Sequence, residues 1–148
     1  MTLDQQIFWG SVFLLACLAV QIGMVVYCSL TLEKLGGCLS ARRSWIYQTV
    51  LTLVTLVFVV VNHTVQVWIW AMAWVNMGVM EDWNLSLYFS MVTYSTVGYG
   101  DVVLDEGLRI FGTFASVTGV LAFGVSTAFL VAVMTRMLHH KVFDTHES

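Results

Sequence analysis

Three long apolar segments constrain the fold of this chain more than any other feature of its sequence. They lie at about 7–30, 45–79 and 108–138. A helix needs roughly 20 predominantly apolar residues to cross a bilayer, so each segment predicts one transmembrane helix. Hydrophobic residues make up 59% of the 148 residues and charged residues only 10%, which excludes an ordinary soluble domain. The sequence therefore predicts an all-α membrane protein with three transmembrane helices.

A fourth apolar segment, 85–95, lies between the second and third spans and is too short to cross the membrane. Such a segment is tolerated at membrane depth where protein surrounds it, and it predicts a re-entrant pore helix. Backbone carbonyl groups after this helix can line a pore only if successive peptide units point the same way. Gly98 and Gly100 accept the positive φ that this requires. The six residues that follow the helix are Thr96, Val97, Gly98, Tyr99, Gly100 and Asp101.

These six residues resemble the selectivity filter of potassium channels, in which four copies of the loop surround K⁺ and carbonyl oxygens replace the water shell of the ion. The resemblance implies that K⁺ is the permeant ion and that no cofactor is needed. Val97 and Tyr99 are expected to turn away from the ions and to hold the loop open against a surrounding collar. The implied ion-binding residues are Thr96, Val97, Gly98, Tyr99 and Gly100.

The resemblance to the potassium channel superfamily covers about 50–137. Residues 87–95 resemble its pore helix, and 119–128 resemble the inner helix of small bacterial channels. By this resemblance Gly119 is a gating hinge, Phe123 belongs to a Phe-Gly pair, and Thr127 adds a hydroxyl to the cavity. The implied fold is the potassium-channel pore with an extra N-terminal helix. Its expected parts are that helix with a cytoplasmic loop at 1–44, the pore domain at 45–141 and a short cytoplasmic tail at 142–148.

Two residues that would support the filter differ from those of many channels. Tyr88 stands where many channels carry a tryptophan, so we expect its phenol to hydrogen-bond Asp101 in place of an indole. Val92 stands where some bacterial channels carry a glutamate behind the filter. Without that carboxyl group, the acid pair that tunes inactivation of the filter in those channels cannot form.

The chain has one pore loop and no internal repeat, so it cannot enclose a filter alone. Unpaired carbonyl groups inside a membrane are costly, and closure by four copies removes that cost. The sequence therefore predicts a homotetramer that passes K⁺ passively across a lipid bilayer. The alternatives are a weakly selective cation channel and a non-conducting regulatory subunit of another channel. A net charge of −3 argues against a nucleic-acid partner, and no constellation of catalytic or metal-ligating residues indicates an enzyme.

The basic residues predict the orientation of the chain in the membrane. Lys34, Arg42 and Arg43 lie between the first two spans, and Arg136 and Lys141 follow the third, so five of the six basic residues fall on one side. The positive-inside rule makes that side cytoplasmic. We therefore expect a multi-pass protein of the plasma (inner) membrane whose N-terminus lies outside, whose C-terminus is cytoplasmic and whose filter opens outward.

Polar residues recur along one face of the second span, among them Asn62 and Gln66, and His63 lies beside them. Polar groups at that depth must find partners, and Gln21 of the first span is one candidate. We interpret this polar seam as the contact that joins the extra helix to the pore domain. A pH-sensing role for His63, and haem or metal ligation by His63, are the alternatives.

Overall fold

The computed structural model of the protein describes residues 1–39 and 44–144, and within these ranges the chain is almost entirely helical. The helices are α1 (Leu3–Leu39), α2 (Ser44–Asn76), α3 (Trp83–Tyr94) and α4 (Arg109–Asp144), with a short 3₁₀ turn at Glu106–Leu108 before α4. By length and composition, α1, α2 and α4 can each cross a membrane. The predicted all-α fold with three spans is therefore confirmed. Arg42 and Arg43, which contribute to the predicted orientation, lie outside the described residues, as do residues 145–148 of the predicted tail.

The ends of the spanning helices differ from the ends of the apolar segments. α1 extends past 7–30 at both ends, and α4 continues beyond 138 to Asp144, inside the predicted tail. Polar residues form helices as readily as apolar ones, and the chain contains no proline that would stop the helices. Hydropathy therefore located the membrane-spanning part of each helix and not the helix itself.

α2 ends at Asn76, before the predicted limit of 79, because a Schellman motif closes it. Gly78 adopts a φ of 65°, a left-handed conformation that glycine accepts without a steric penalty. The amide of Gly78 donates to the carbonyl of Val75, and the amide of Val79 donates to that of Trp74, each at 3.0 Å. These two bonds satisfy carbonyls that the end of the helix would otherwise leave unpaired.

α1 packs against both α2 and α4 along a single face. The buried residues of that face recur at spacings close to whole helical turns, which is the pattern of a helix with one docked side. At Gly10, a Cβ would lie 2.3 Å from the ring of Phe114 on α4, so only glycine lets the two helices approach this closely. The buried residues of this face are Gln6, Gly10, Cys17, Gln21 and Cys28.

α1 also completes the start of α4. The side-chain oxygen Oε1 of Gln6 accepts hydrogen bonds from the backbone amides of Ile110 at 3.1 Å and Phe111 at 3.3 Å. Amides in the first turn of a helix have no acceptor within that helix. A side chain from α1 therefore serves as the N-terminal cap of α4, and it fixes the depth at which the two helices pair.

α3 is held by its cap at one end and by aromatic packing along its side. The Asp82 carboxylate accepts from the amides of Asn84 at 3.3 Å and Leu85 at 3.2 Å, so α3 begins at Trp83 and not at the predicted 85. Farther along, the ring of Phe89 meets Trp74 of α2 edge-on, with centroids 5.3 Å apart. These contacts hold the short helix against α2 and set the position of the loop that follows it.

Candidate functional site

The loop after α3 folds back onto the end of that helix through its amides. The amide of Thr96 donates to the carbonyl of Thr93 at 3.0 Å. Those of Val97 and Gly98 both donate to the carbonyl of Val92, at 3.0 and 3.3 Å. Within the described chain, no hydrogen bond is donated to the carbonyl oxygens of residues 96–99. The loop therefore uses its amides to hold itself and leaves its carbonyl oxygens available to a ligand.

Positive φ angles alternate along this loop. They are 61° at Thr96, 53° at Gly98 and 79° at Gly100, and neither Val97 nor Tyr99 has a positive φ. Alternation between right- and left-handed conformations turns successive peptide groups toward the same side of the backbone, unlike the alternating directions of a strand. The positive φ predicted for the two glycines is confirmed.

Thr96 is the residue of the loop whose conformation the sequence did not predict. A positive φ is a genuine outlier for a β-branched residue, and such strain persists only where the surroundings enforce it. The two glycines two residues apart could have indicated it, because continuing their alternation backwards leads to position 96.

The side chains of the loop lie on the surface of the single chain. Tyr99 is 73% exposed and Val97 is 52% exposed. The collar expected around these two side chains is therefore not supplied by residues of the same described chain. Both side chains are therefore free to contact a neighbouring molecule.

Tyr88 and Asp101 tie the pore helix to the far end of the loop. The Tyr88 hydroxyl donates to Oδ2 of Asp101 at 2.6 Å, so the hydrogen bond expected between them is present. This bond lowers the pKa of the Asp101 carboxyl group below its ordinary value. It also raises the pKa of the Tyr88 phenol, since an ionised phenol could no longer donate. Both shifts favour the paired form at neutral pH.

The other predicted support residue, Val92, acts through its backbone. Its carbonyl oxygen accepts the two loop amides described above, and its side chain is only partly buried. Any residue with a normal backbone could offer that oxygen. Val92 therefore supports the loop through its backbone carbonyl, and no contact of its side chain within the described chain accounts for the choice of valine.

Tyr94, the last residue of α3, is the point where three helices meet behind the loop. Its side chain is only 2% exposed, and its hydroxyl donates to Oε1 of Gln66 at 3.2 Å. Nδ1 of His63 lies 2.8 Å from the same hydroxyl. This contact is a hydrogen bond in which the ring donates when Nδ1 carries its proton and accepts when it does not. In the sequence, nothing distinguishes Tyr94 from the other aromatic residues of this apolar segment.

α4 presses against the same end of α3. A Cβ on Gly119 would lie 1.8 Å from the carbonyl oxygen of Tyr94, and the Ser116 hydroxyl donates to the carbonyl of Thr93 at 2.9 Å. The ring of Phe123 contacts Tyr94 edge-on, with centroids 5.6 Å apart. Gly119 and Phe123 are thus brought to the back of the loop, and α4 passes Gly119 as one continuous helix. Close packing alone is enough to require glycine here.

Phe123 and Thr127 mark a side of α4 that the other described residues leave exposed. The ring of Phe123 packs on His63, with centroids 4.7 Å apart, and is still 42% exposed. Thr127 lies one helical turn further on and is exposed. The predicted gating and cavity residues therefore lie about one helical turn apart along α4. Gly119, the first of them in the sequence, is buried, and the next two are exposed.

The polar seam of α2 meets α1 at Gln21. Oε1 of Gln21 accepts from Nε2 of Gln66 at 2.8 Å and also from Nδ2 of Asn62. Nε2 of Gln21 donates to the hydroxyl of Ser126 on α4 at 3.1 Å. All four side chains are buried. The predicted contact between Gln21 and the seam is confirmed, whereas the part played by Ser126 was missed because a lone serine on a long apolar helix carries no distinctive pattern.

Comparison with known proteins identifies the part of the chain that contains this site. A family model described as ion channel matches residues 49–136. The match begins within α2 and includes α3, the loop and most of α4, whereas α1 lies outside it. Searches of the curated proteins and of the solved structures found no match.

Proposed function

Because the chain belongs to the ion channel family, we propose that it forms a potassium-selective channel that passes K⁺ passively down its gradient. The observation that carries the proposal is the alternation of positive φ at Thr96, Gly98 and Gly100 within a Thr-Val-Gly-Tyr-Gly sequence. That backbone presents a row of carbonyl oxygens, and rings of carbonyl oxygens can replace the hydration shell of K⁺. The coordinating oxygens in this proposal belong to Thr96, Val97, Gly98 and Tyr99, with Gly100 completing the loop.

The proposed assembly is a homotetramer in a lipid bilayer. Each chain contributes one loop, and free carbonyl groups facing hydrocarbon would cost several kcal/mol each. The exposed side chains of Val97 and Tyr99 would pack into the collar formed by neighbouring copies. A ring of four loops around one axis satisfies both requirements with identical contacts between subunits.

The remaining predicted residues have distinct places in this proposal. The bond between Tyr88 and Asp101 holds the outer end of the filter, and the carbonyl of Val92 holds its inner side. The exposed side of α4 would line the cavity below the filter, with Phe123 and Thr127 facing it. Gly119 would be the position at which α4 bends during gating.

We propose that the N-terminus and the outer mouth of the filter share one side of the membrane, with the C-terminus in the cytoplasm. A Cβ on Gly107, in the turn after the filter, would lie 3.3 Å from the N-terminal nitrogen of Met1. In a background without native cysteines, Thr2→Cys and Glu81→Cys should react with an impermeant thiol reagent added outside, and Arg136→Cys should not. Labelling of Thr2→Cys only from the cytoplasmic side would contradict the orientation.

Ion flux from purified protein in liposomes tests the proposed function. Flux of K⁺ without flux of Na⁺ supports a potassium-selective channel. Comparable flux of both ions would identify a weakly selective cation channel instead. No flux, from protein that is folded and tetrameric, would favour a non-conducting regulatory subunit. A Tyr99→Asp variant serves as the control, because removing the aromatic ring from the filter should abolish K⁺ selectivity while the spanning helices remain intact.

A further inference from the structure

The strained conformation of Thr96 needs an anchor. Its φ of 61° is unfavourable for a residue with a branched Cβ, so neighbouring groups must hold the backbone on each side of it. The amide of Thr96 is bonded to the end of α3. The orientation of that helix end, whose last residue is Tyr94, therefore bears on whether the filter keeps its shape.

Tyr94 is connected to α1 through a chain of hydrogen bonds that runs in one direction. Its hydroxyl donates to Oε1 of Gln66, Nε2 of Gln66 donates to Oε1 of Gln21, and Nε2 of Gln21 donates to the hydroxyl of Ser126. Each glutamine uses its oxygen as an acceptor and its nitrogen as a donor. Turning over one side-chain amide alone would break the bonds at both of its ends, so the orientations of the two glutamine amides are coupled.

The geometry points to Gln21 and Gln66 as positioning residues of the filter, acting through the hydroxyl of Tyr94. Neither side chain touches the loop. Gln66 holds the hydroxyl of Tyr94, and Gln21 in turn holds Gln66 from a helix outside the family match. α1 therefore contributes to the shape of the filter as well as anchoring the chain. The effect of the two glutamines on the shape of the filter follows from these contacts. An effect on K⁺ selectivity rests in addition on the proposed function.

Substitution of Asn62 distinguishes positioning of the filter from simple attachment of α1 to α2. Its side-chain nitrogen also donates to Oε1 of Gln21, so it joins α1 to α2 as Gln66 does. The bonds described for Asn62 do not reach Tyr94. If the polar seam only attaches helices to each other, loss of Asn62 and loss of Gln66 should have the same consequences. If it positions the filter, the loss of Gln66 should disturb the loop and the loss of Asn62 should not.

Hydrogen exchange in lipid provides a direct test, because the amides of Thr96, Val97 and Gly98 are all bonded to the end of α3. Tyr94→Phe keeps the ring and removes only the hydroxyl, and Gln66→Met and Gln21→Met keep side-chain length without the amide. We expect each to speed exchange at these three amides about three- to twentyfold, the range to which one interhelical hydrogen bond in a membrane corresponds. Asn62→Leu should leave their exchange unchanged.

The double variant Tyr94→Phe with Gln66→Met adds a check that does not depend on any single substitution. Both changes remove the same bond, so exchange in the double variant should be no faster than in the faster single variant. Unchanged exchange in Tyr94→Phe, or equal acceleration by Asn62→Leu and Gln66→Met, would overturn the inference. Tyr94→Phe retains the buried ring and is the variant that decides the matter if a glutamine variant fails to fold.

Permeability measurements separate this inference from the proposed function. In a K⁺-selective wild-type protein, Tyr94→Phe and Gln66→Met should lower the K⁺ to Na⁺ permeability ratio, and Asn62→Leu should not. A wild-type protein without K⁺ selectivity would refute the proposed function, while the exchange results would still decide whether Gln66 positions the loop. A selective wild-type protein with an unchanged ratio in both variants would refute the inference alone.

Discussion

The carbonyl oxygen of Tyr94 occupies the space that a side chain on Gly119 would fill. A Cβ at that position would lie 1.8 Å from the oxygen, closer than any real contact. The glycine that resembles a gating hinge is therefore also the point of closest approach between α4 and the pore helix. A single substitution addresses both roles at once.

Gly119→Ala should push the end of α3 away from α4, lowering stability by about 1–3 kcal/mol, the usual cost of overpacking, and disturbing K⁺ flux. Gly124→Ala is the matched control, because its Cβ would meet nothing within 4 Å and it stiffens the same helix. Thermal unfolding of the purified protein and liposome flux provide the measurements. Equal effects of the two substitutions would favour loss of helix flexibility over the packing contact.

Gly98→Ala should abolish selectivity for K⁺ over Na⁺. The residue adopts a φ of 53°, and a side chain in the left-handed conformation costs about 1–2 kcal/mol. This cost would add to the strain that Thr96 already places on the same loop. Gly78→Ala introduces the same strain, at a φ of 65°, in the turn that ends α2. Reversal potentials under bi-ionic conditions should shift for Gly98→Ala and stay unchanged for Gly78→Ala. A K⁺ preference that survives in Gly98→Ala would contradict the assignment of the filter.

Tyr88→Phe should raise the pKa of the Asp101 carboxyl group toward its ordinary value. In the wild-type protein the hydrogen bond from Tyr88 lowers that pKa. The bond therefore stabilises the folded state at every pH above the ordinary carboxyl pKa of about 3.9, and this contribution is lost as the pH falls through the lowered value. An NMR titration of the Asp101 carboxyl carbon in both proteins measures the change. Superimposable titration curves would mean that the bond is not formed in the membrane.

Channel current should stay flat between pH 5 and 8 if His63 serves to join helices. Its Nδ1 lies 2.8 Å from the Tyr94 hydroxyl, and a ring that carries a proton on Nδ1 can donate there whether it is neutral or charged. His63→Gln retains a donor and should preserve stability, whereas His63→Leu should lower the stability of the tetramer by about 1–2 kcal/mol. A titration of open probability that is present in the wild-type protein and absent from both variants would make His63 a pH sensor.

Much of the fold could be predicted because it depends on properties that a sequence displays directly. Lengths of apolar sequence located α1, α2 and α4, and the short segment before the glycines located α3. Gly98 and Gly100 indicated their own backbone conformation, and the resemblance to channels with a tryptophan in place of Tyr88 implied its bond with Asp101. In each of these cases the determining residues lie within a few helical turns of one another.

Other parts of the site could not be predicted because they depend on how the helices are rotated and how deeply they pair. Gln6 and Ile110 are separated by 104 positions in the sequence, and no periodic pattern relates them. Tyr94 reads as one more aromatic residue at the end of an apolar helix until α2 places Gln66 beside it. The residue type of Thr96 does not indicate its positive φ, and only the alternation continued backwards from Gly98 and Gly100 points to it.

The cap that Gln6 gives to α4 has a consequence for how the chain is made. α1 leaves the ribosome before α4, so the oxygen that will accept the amides of Ile110 and Phe111 is already present when α4 is synthesised. A fragment containing only the family-matched residues 49–136 would start its last helix without the acceptor that Gln6 supplies to these two amides. The start of the final helix is therefore completed by a helix that is translated before it.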